Sequence, residues 1–270
     1  MIDFAGIAAS TPHYNFHSHT QFCDGRATMA DFAAAAVKAG MEHYGFSPHS
    51  PLEIESKCNM KRDDVEAYLN EFDRLRKLYA GKINFYAGME IDYISEECGP
   101  SHPYFVSLPL DYRIGSVHFI PSSTGPVDVD GSYARFREKM ATYFDNDIDS
   151  VVKSFYSQTH KMIDQGGFDI IGHFDKIGHN SSHFRPGIED EAWYVKLINE
   201  VIDHIIESGV VVEINTKARS EHHRFFPGER YWPKLKKAGV TLLVNSDTHY
   251  PNLIEASRDE AFTLLKNISI

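Results

Sequence analysis

The stretch His13-Tyr14-Asn15-Phe16-His17-Ser18-His19-Thr20-Gln21-Phe22-Cys23-Asp24-Gly25 carries the pattern on which the whole chain is built. Its first four residues form an extended run, a strand emerging from an irregular N-terminus. Residues two apart on a strand point to the same side, so His17 and His19 present two imidazoles where the strand is about to end. Asp24 lies in a turn that Gly25 permits, and its carboxylate can swing back over the same spot. Two imidazoles and a carboxylate converging at a strand end suit a divalent cation such as zinc, manganese or iron. A lone His-x-His pair fits two ordinary half-exposed histidines equally well. Recurrence downstream separates the two readings.

Helical and extended patterns alternate along the chain, which argues for an α/β fold with parallel strands. A first helix begins at the N-cap Thr28, with Asp31 three residues on. It shows Met29, Phe32, Ala33, Ala36 and Val37 on one face and stops at Gly40. A strand over 43–46 runs into Ser47-Pro48-His49, and a helix over 62–79 follows. The third strand, Ile83 to Glu90, ends in a carboxylate; the fourth, Tyr112 to His118, ends in an imidazole. Residues 121–147 read as a long loop with a short helix, a kind of segment that is often functional. A helix from about Asp149 stops at Gly166-Gly167, and the fifth strand, Phe168 to His173, again ends in histidine. A helix over about 189–207 leads to the sixth strand, Val210 to Asn215. A short helix near 231–237 leads to the seventh, Val240 to Ser246, which runs into Asp247-Thr248-His249. A helix over about 253–266 closes the pattern. No internal repeat, low-complexity tract or linker suggests a second domain, so one domain over 1–270 is expected.

Six of the seven strands thus end in a ligand-type residue or pair. In closed β/α barrels function gathers at the C-terminal strand ends, and core histidines scattered by chance would not select that location six times. With Asp24 the candidates are His17, His19, Asp24, His49, Glu90, His118, His173, Asp247 and His249. Nine ligands exceed what one or two ions with open positions use, which points to three.

Composition sets the bounds. A length of 270 residues suits a single α/β barrel of about 250. Hydrophobic residues make up 42%, enough for a sizeable core, yet no run approaches the ~20 apolar residues of a membrane span. The first residues lack the charged and apolar regions of a signal peptide. Three cysteines without paired spacing imply no disulfide framework, and the expected location is a reducing cytoplasm. A net charge of −11 argues against a nucleic-acid surface. A phosphorylated small molecule stays compatible with it, because bound cations invert the local field.

Six motifs, in order, resemble the PHP (polymerase and histidinol phosphatase) family over nearly the whole chain. They are His17-Ser18-His19-Thr20 with Asp24-Gly25, Phe46-Ser47-Pro48-His49, Gly88-Met89-Glu90-Ile91-Asp92, Gly115-Ser116-Val117-His118, Gly172-His173-Phe174-Asp175 and Ser246-Asp247-Thr248-His249. Glu213-Ile214-Asn215-Thr216 and the length resemble its histidinol-phosphate phosphatase branch. Pro48 departs from the family, which usually has Asp before this histidine.

The resemblance implies a distorted seven-stranded, TIM-like (β/α)7 barrel with a trinuclear site for zinc, iron or manganese. His17, His19 and Asp247 would hold one ion, and Glu90 would bridge to a second held by His118 and His173. Asp24, His49 and His249 would hold the third. A carboxylate is suited to bridging because it offers two oxygens where an imidazole offers one metal-facing nitrogen. The implied activity is that of a metal-dependent phosphomonoesterase, most specifically one converting L-histidinol phosphate and water to L-histidinol and phosphate in histidine biosynthesis. A metal-bridging hydroxide would attack in line while the ions neutralise phosphoryl charge. Asp247, His249 or metal-bound water would protonate the leaving alkoxide.

A phosphate dianion invites a cation near the mouth. Arg219 is the first candidate, with Arg185 and Lys176 behind it; each also reads as a solvated surface charge. Asp92 and Asp175 can orient imidazoles or be plain surface carboxylates. His179, His183, His222 and His223 read as loop histidines after strands five and six, and Cys23 as a partly buried bystander. Other substrates stay open within the family: a nucleotide, a sugar phosphate or phosphotyrosine. The amidohydrolase class also opens on His-x-His, but it needs a bridging lysine where Glu90 stands. A non-enzymatic, metal-stabilised accessory domain is the remaining alternative, and retention of all nine ligand positions speaks against it. No pattern in the chain specifies an oligomeric state.

Overall fold

The computed structural model describes residues 2–54 and 56–269. Each stretch read as a strand contains ladder-paired backbone, but not in one seven-stranded sheet. Among the described residues there are ten strands in three sheets. β1 (Tyr14–Asn15), β2 (His43–Phe46) and β3 (Asn84–Ala87) form one parallel sheet. A second parallel sheet has the order β10-β9-β8-β5-β4, where β4 is Glu90–Asp92, β5 Ile114–Ser116, β8 Ile170–Ile171, β9 Val211–Asn215 and β10 Leu242–Asn245. An antiparallel hairpin, β6 (Phe119–Ser122) with β7 (Gly125–Asp128), is inserted in sequence between β5 and β8 of the second sheet.

Two seams join the parallel sheets. At the first, Gly88-Met89 splits the expected third strand into β3, which pairs only with β2, and β4, which pairs only with β5. The Tyr112 ring packs against this seam: a Cβ on Gly88 would lie 2.2 Å from it, and one on Gly45 would lie 2.1 Å from its hydroxyl. Backbone continuity across this seam survives as single bonds, Gly88 N to Phe46 O at 2.7 Å and Glu90 N to Pro48 O at 3.0 Å. At the second seam, β1 and β10 meet through side chains in place of a ladder. Asn15 Oδ1 accepts from Ser246 N and Asn245 Oδ1 from Phe16 N, both at 2.8 Å, and Tyr14 Oη accepts from Val244 N at 3.1 Å.

Below the strand ends, Tyr14, Phe16, Tyr112, Ile114, Ile170 and Leu243 form one buried cluster that draws on both sheets. Phe4 of α1 (Phe4–Ser10) joins it, so the N-terminus expected to be irregular is a helix. Asp3 caps that helix by accepting from Gly6 N at 2.8 Å. Outside the sheets, α2 (Met29–Lys38) and α3 (Val65–Leu78) bury their apolar stripes against β2 and β3. Thr28 and Asp31 form the capping box that the sequence suggests. After α4 (Pro103–Ser107), the inserted hairpin and α5 (Tyr133–Tyr143) occupy much of the segment read as a long loop. Strands of four residues carrying Pro121 and Pro126 are too short and too broken for periodicity to register.

The second large core lies under α6 (Ile148–Gln165), α7 (Ile177–Phe184) and α8 (Ala192–Ser208). α7 replaces the loop expected after β8, so His179 and His183 are helical residues. α9 (Arg219–His222), α10 (Trp232–Lys237) and α11 (Arg258–Asn267) complete the chain. No helix of the described residues is long and apolar enough to cross a membrane.

Candidate metal centre

Because both sheets are parallel, their C-terminal ends face one side, and the ligand-type residues beyond them meet there. Glu90, at the start of β4, is the hub. Its Oε1 faces His173 Nε2 at 3.0 Å and His118 Nε2 at 3.6 Å. Its Oε2 faces His17 Nε2 at 3.1 Å, His49 Nδ1 at 3.0 Å and His19 Nε2 at 3.5 Å. Asp247 Oδ1 lies 3.0 Å from His19 Nε2 and 3.7 Å from His17 Nε2. On the far side of His19, Asp24 Oδ1 approaches His249 Nε2 at 3.1 Å and His49 Nε2 at 4.0 Å. All nine residues named from the sequence are therefore within one constellation. Three overlapping groups have ligand atoms close enough to share an ion: His17, His19 and Asp247; His19, Asp24, His49 and His249; and His49, Glu90 and His118. His49 thus sits beside Glu90 as well as in the Asp24 group, an overlap that strand order alone does not reveal.

Local backbone explains the convergence. A Cβ on Gly25 would lie 2.4 Å from the carbonyl of His19, so only glycine lets the turn fold back and bring Asp24 to the histidines. Asp247 takes a left-handed conformation, φ 46°, which costs an L-residue about 1 kcal/mol and is characteristic of functional sites.

The imidazoles are oriented from behind. His17 Nδ1 is 2.7 Å from Glu213 Oε1, and His118 Nδ1 is 2.6 Å from Asp92 Oδ1. Both contacts put the ring's other nitrogen toward Glu90, as hydrogen-bonded carboxylates do at metal sites. Glu213 also accepts from His173 N and from the side-chain amides of Asn215 and Asn245, at 3.1–3.2 Å. Asp175 touches none of the nine; it accepts from Gly228 N at 2.8 Å.

Charge reinforces the geometry. Burial, with neighbouring His249 and His49, holds the His19 imidazole well below its ordinary value; burial likewise lowers His49 and His173. Their nitrogen lone pairs are therefore free at neutral pH. Burial opposes protonation of His17 and His118 too, but carboxylates prevail there. Glu213, Glu90 and Asp247 carry His17 well up, and Asp92 and Glu90 bring His118 to about 9. Burial penalises the charged forms of Glu90 and Asp247, yet the adjacent imidazoles, and Lys217 beside Asp247, keep both well below the usual carboxylate range.

The donor set fits metal ions. Of the thirteen buried side-chain atoms without a hydrogen-bond partner among the described residues, four converge here, His17 Nε2, His19 Nε2, His49 Nδ1 and Asp24 Oδ1, and the other nine lie on residues outside the ligand candidates. Each such atom costs about 1–3 kcal/mol when left unsatisfied, and all four belong to the constellation. Converging imidazole nitrogens and carboxylate oxygens are the donor types that divalent cations take.

Six of the nine, Asp24, His49, Glu90, His118, Asp247 and His249, line a cavity of about 280 Å³. Three cations line it: Arg135, Lys176 and Lys217. Lys217 Nζ lies 3.2 Å from Asp247 Oδ1 and 3.5 Å from His249 Nε2, and Lys176 Nζ lies 2.8 Å from Asp130 Oδ2. Of the cations expected near substrate, Lys176 is in the cavity wall and the two arginines are not. Arg219 is tied to Glu260 and Glu229 and stacks on Phe225; Arg185 is tied to Asp149 and Glu191 beside Trp193. The sequence reading gave no site role to Lys217, nor to Glu213 although it stands in the Glu213-Ile214-Asn215-Thr216 motif, and both left a signal. Glu213 is an ionisable residue inside the apolar run of β9, and Lys217 follows that strand's end as the ligands follow theirs.

The profile of the PHP domain family matches residues 15–217, and the chain belongs to that family. The match stops short of Asp247 and His249. Among relatives, the histidinol-phosphatase of Bacillus subtilis (strain 168) is 28% identical over 266 residues, covering 86% of this chain and 92% of its own. A Deinococcus radiodurans protein named a probable histidinol-phosphatase is 25% identical over 247 residues, covering 87% of this chain and 85% of its own. The fold is shared with a crystal structure from Listeria monocytogenes, TM-score 0.80 at 15% identity, covering 92% of this chain and 99% of that one. It is also shared with histidinol phosphate phosphatase from Lactococcus lactis subsp. lactis, solved with zinc, L-histidinol and phosphate. That comparison has a TM-score of 0.76 at 19% identity and covers 96% of this chain and 94% of that one.

Proposed function

We propose that this chain is a metal-dependent phosphomonoesterase that hydrolyses L-histidinol phosphate to L-histidinol and phosphate. One observation carries the reading: imidazole and carboxylate groups converge in one constellation, and six of the nine residues line a cavity whose other lining includes Arg135, Lys176 and Lys217. The two histidinol-phosphatases that resemble the chain over 86–87% of its length support the substrate, as does the Lactococcus lactis complex with zinc, L-histidinol and phosphate.

In this reading the site takes three divalent ions, zinc, iron or manganese. His17, His19 and Asp247 would hold the first, Glu90 with His118 and His173 the second, and Asp24, His49 and His249 the third. The separate sets of imidazoles facing Oε1 and Oε2 support Glu90 as the bridge. When bound, the ions supply a hydroxide nucleophile near neutral pH and neutralise phosphoryl charge. The protein's own groups do the rest. Lys176 and Lys217 flank the cluster and bind phosphoryl oxygens as point charges. Asp247, His249 or metal-bound water would supply the proton to the leaving oxygen, and Asp247 and His249 both line the cavity. Arg219 and Arg185 have structural partners and take no part. The two sheets with their seams are read as a distorted seven-stranded barrel within one domain over 1–270. A small phosphorylated metabolite and three free cysteines suit a cytoplasmic enzyme.

The test is phosphate release from L-histidinol phosphate against a panel of nucleotide, sugar and phosphotyrosine esters, with added Mn, Zn or Fe. Strong preference for histidinol phosphate, lost in a folded His17→Ala variant, is the expected result. Turnover of the panel with histidinol phosphate untouched would overturn the substrate and keep the chemistry. A fully metallated protein that turns over nothing would make this a binding domain.

A further inference from the structure

Lys176 and Lys217 approach the cluster from different sides. Lys217 lies against Asp247 and His249. Lys176 follows His173 by three residues, and its charge is felt by His118 and His173. Lysine is a flexible four-carbon stem carrying about 2 kcal/mol of rotamer entropy, so a lysine that is to meet a phosphoryl group in one pose must be restrained beforehand. Lys176 is restrained. Its side chain is 15% exposed, and its ammonium contacts Asp130 Oδ2 at 2.8 Å.

Asp130, partly exposed in the cavity wall, is in turn held through its backbone. It lies just beyond β7, where the inserted hairpin returns to the body of the protein. Its own N–H donates to Asp128 Oδ1 at 2.8 Å, and Val129 N donates to the carbonyl of His118, also at 2.8 Å. Asn180, 3% exposed and on α7, donates through Nδ2 to Val129 O and Gly131 O at 3.3 Å each. The helix that Lys176 leads into therefore clamps the backbone on both sides of the carboxylate that holds Lys176. This closed circuit ties the hairpin to the metal-ligand His118 at one point and to Lys176 at another. An ammonium has three N–H donors. One goes to Asp130, and two are left for a ligand in the cavity.

We propose that Asp130 is a positioning residue: it holds the Lys176 ammonium in the cavity wall with two donors directed at a phosphoryl group on the cluster, and the β6–β7 insertion exists in part to present it. The proposal rests on the phosphatase reading above.

A double-mutant cycle of Asp130→Ala and Lys176→Met tests it, with Asp130→Glu as the conservative variant. Each protein is first brought to the metal content of wild type. Two quantities are read: KM and kcat for L-histidinol phosphate, and inhibition by inorganic phosphate, which needs no chemical step. Removing Asp130 is expected to raise both KM and the phosphate inhibition constant about tenfold, the scale of one charge-assisted contact. Asp130→Glu should recover part of that loss. In the Lys176→Met background the same Asp130→Ala change should cost almost nothing, because its object is gone. An equal loss in both backgrounds, or unchanged KM and phosphate inhibition in Asp130→Ala, overturns the proposal and leaves the phosphatase reading standing. A wild-type protein that neither hydrolyses the ester nor binds phosphate overturns both.

Discussion

Behind the imidazole of His17 stands Glu213, fully buried and hydrogen-bonded at 2.7 Å, and the same carboxylate steadies His173 through its backbone. One residue thus orients parts of two candidate ion sites without touching either ion. Replacing Glu213 by Gln keeps the volume and removes the charge that makes His17 a stronger donor. The expected consequence is a loss of about 10- to 100-fold in metal affinity, measured by chelator competition on the folded variant. Unchanged affinity would reduce Glu213 to core polarity. At this scale the nine ligand candidates were legible because metal donors are few in kind and their positions past strand ends are periodic. The partners of those ligands were less so. Asp92 and Asp175 look alike in sequence, each two residues past a ligand, yet only Asp92 reaches an imidazole. The direction of a buried carboxylate depends on what packs beside it.

At the scale of elements, the turn after β1 and the strand break at Gly88 do most to shape the site. Gly25 is needed for close approach to the His19 carbonyl, not for an unusual φ. A Gly25→Ala variant must open that turn and move Asp24 away from His49 and His249. Metal analysis of the folded variant should find the occupancy of the Asp24 group selectively reduced, with the His17, His19 and Asp247 group retained; full occupancy would show that the turn yields elsewhere. Helices with caps and continuous apolar stripes, such as α2 with its Thr28 box, were readable from spacing. The β6–β7 hairpin, α1 and α7 were not. They are short, and partners from distant sequence satisfy them, as when Phe4 packs on Phe16 and Tyr112 or Asn180 clamps residues 129 and 131.

For the whole molecule, the site concentrates ionisable groups where water is scarce, so ion binding and folding are coupled. Ligands that bind only the native state stabilise it, by about 2.7 kcal/mol for one site at a hundredfold excess over Kd. Stripping the protein with chelator should lower its melting temperature by several degrees, and added Mn should restore it; equal melting temperatures would show that no ion binds natively. The pH dependence follows from signs. His17 and His118 lie above their ordinary imidazole value in the metal-free protein, His118 at about 9. Their protonated forms therefore stabilise that state fully below about pH 6.5, and the contribution is lost as pH rises toward 9. Ions must displace these protons, so metal added at pH 7 should release about two per chain, readable by calorimetry in buffers of different ionisation enthalpy.

The sequence by itself determined which chemistry the chain can host and the order in which its parts arrive. Ligand residues recur where strands end, and that pattern survives without coordinates because parallel strands place like ends on one side. Tertiary structure alone decided which atoms meet. Glu90 faces two sets of histidines, Lys176 of the three expected cations lines the cavity with Lys217 while Arg219 and Arg185 do not, and the ladder gives way to side chains between β1 and β10. Those outcomes depend on contacts between residues up to 231 positions apart, set by packing and by the satisfaction of buried polar groups rather than by local pattern.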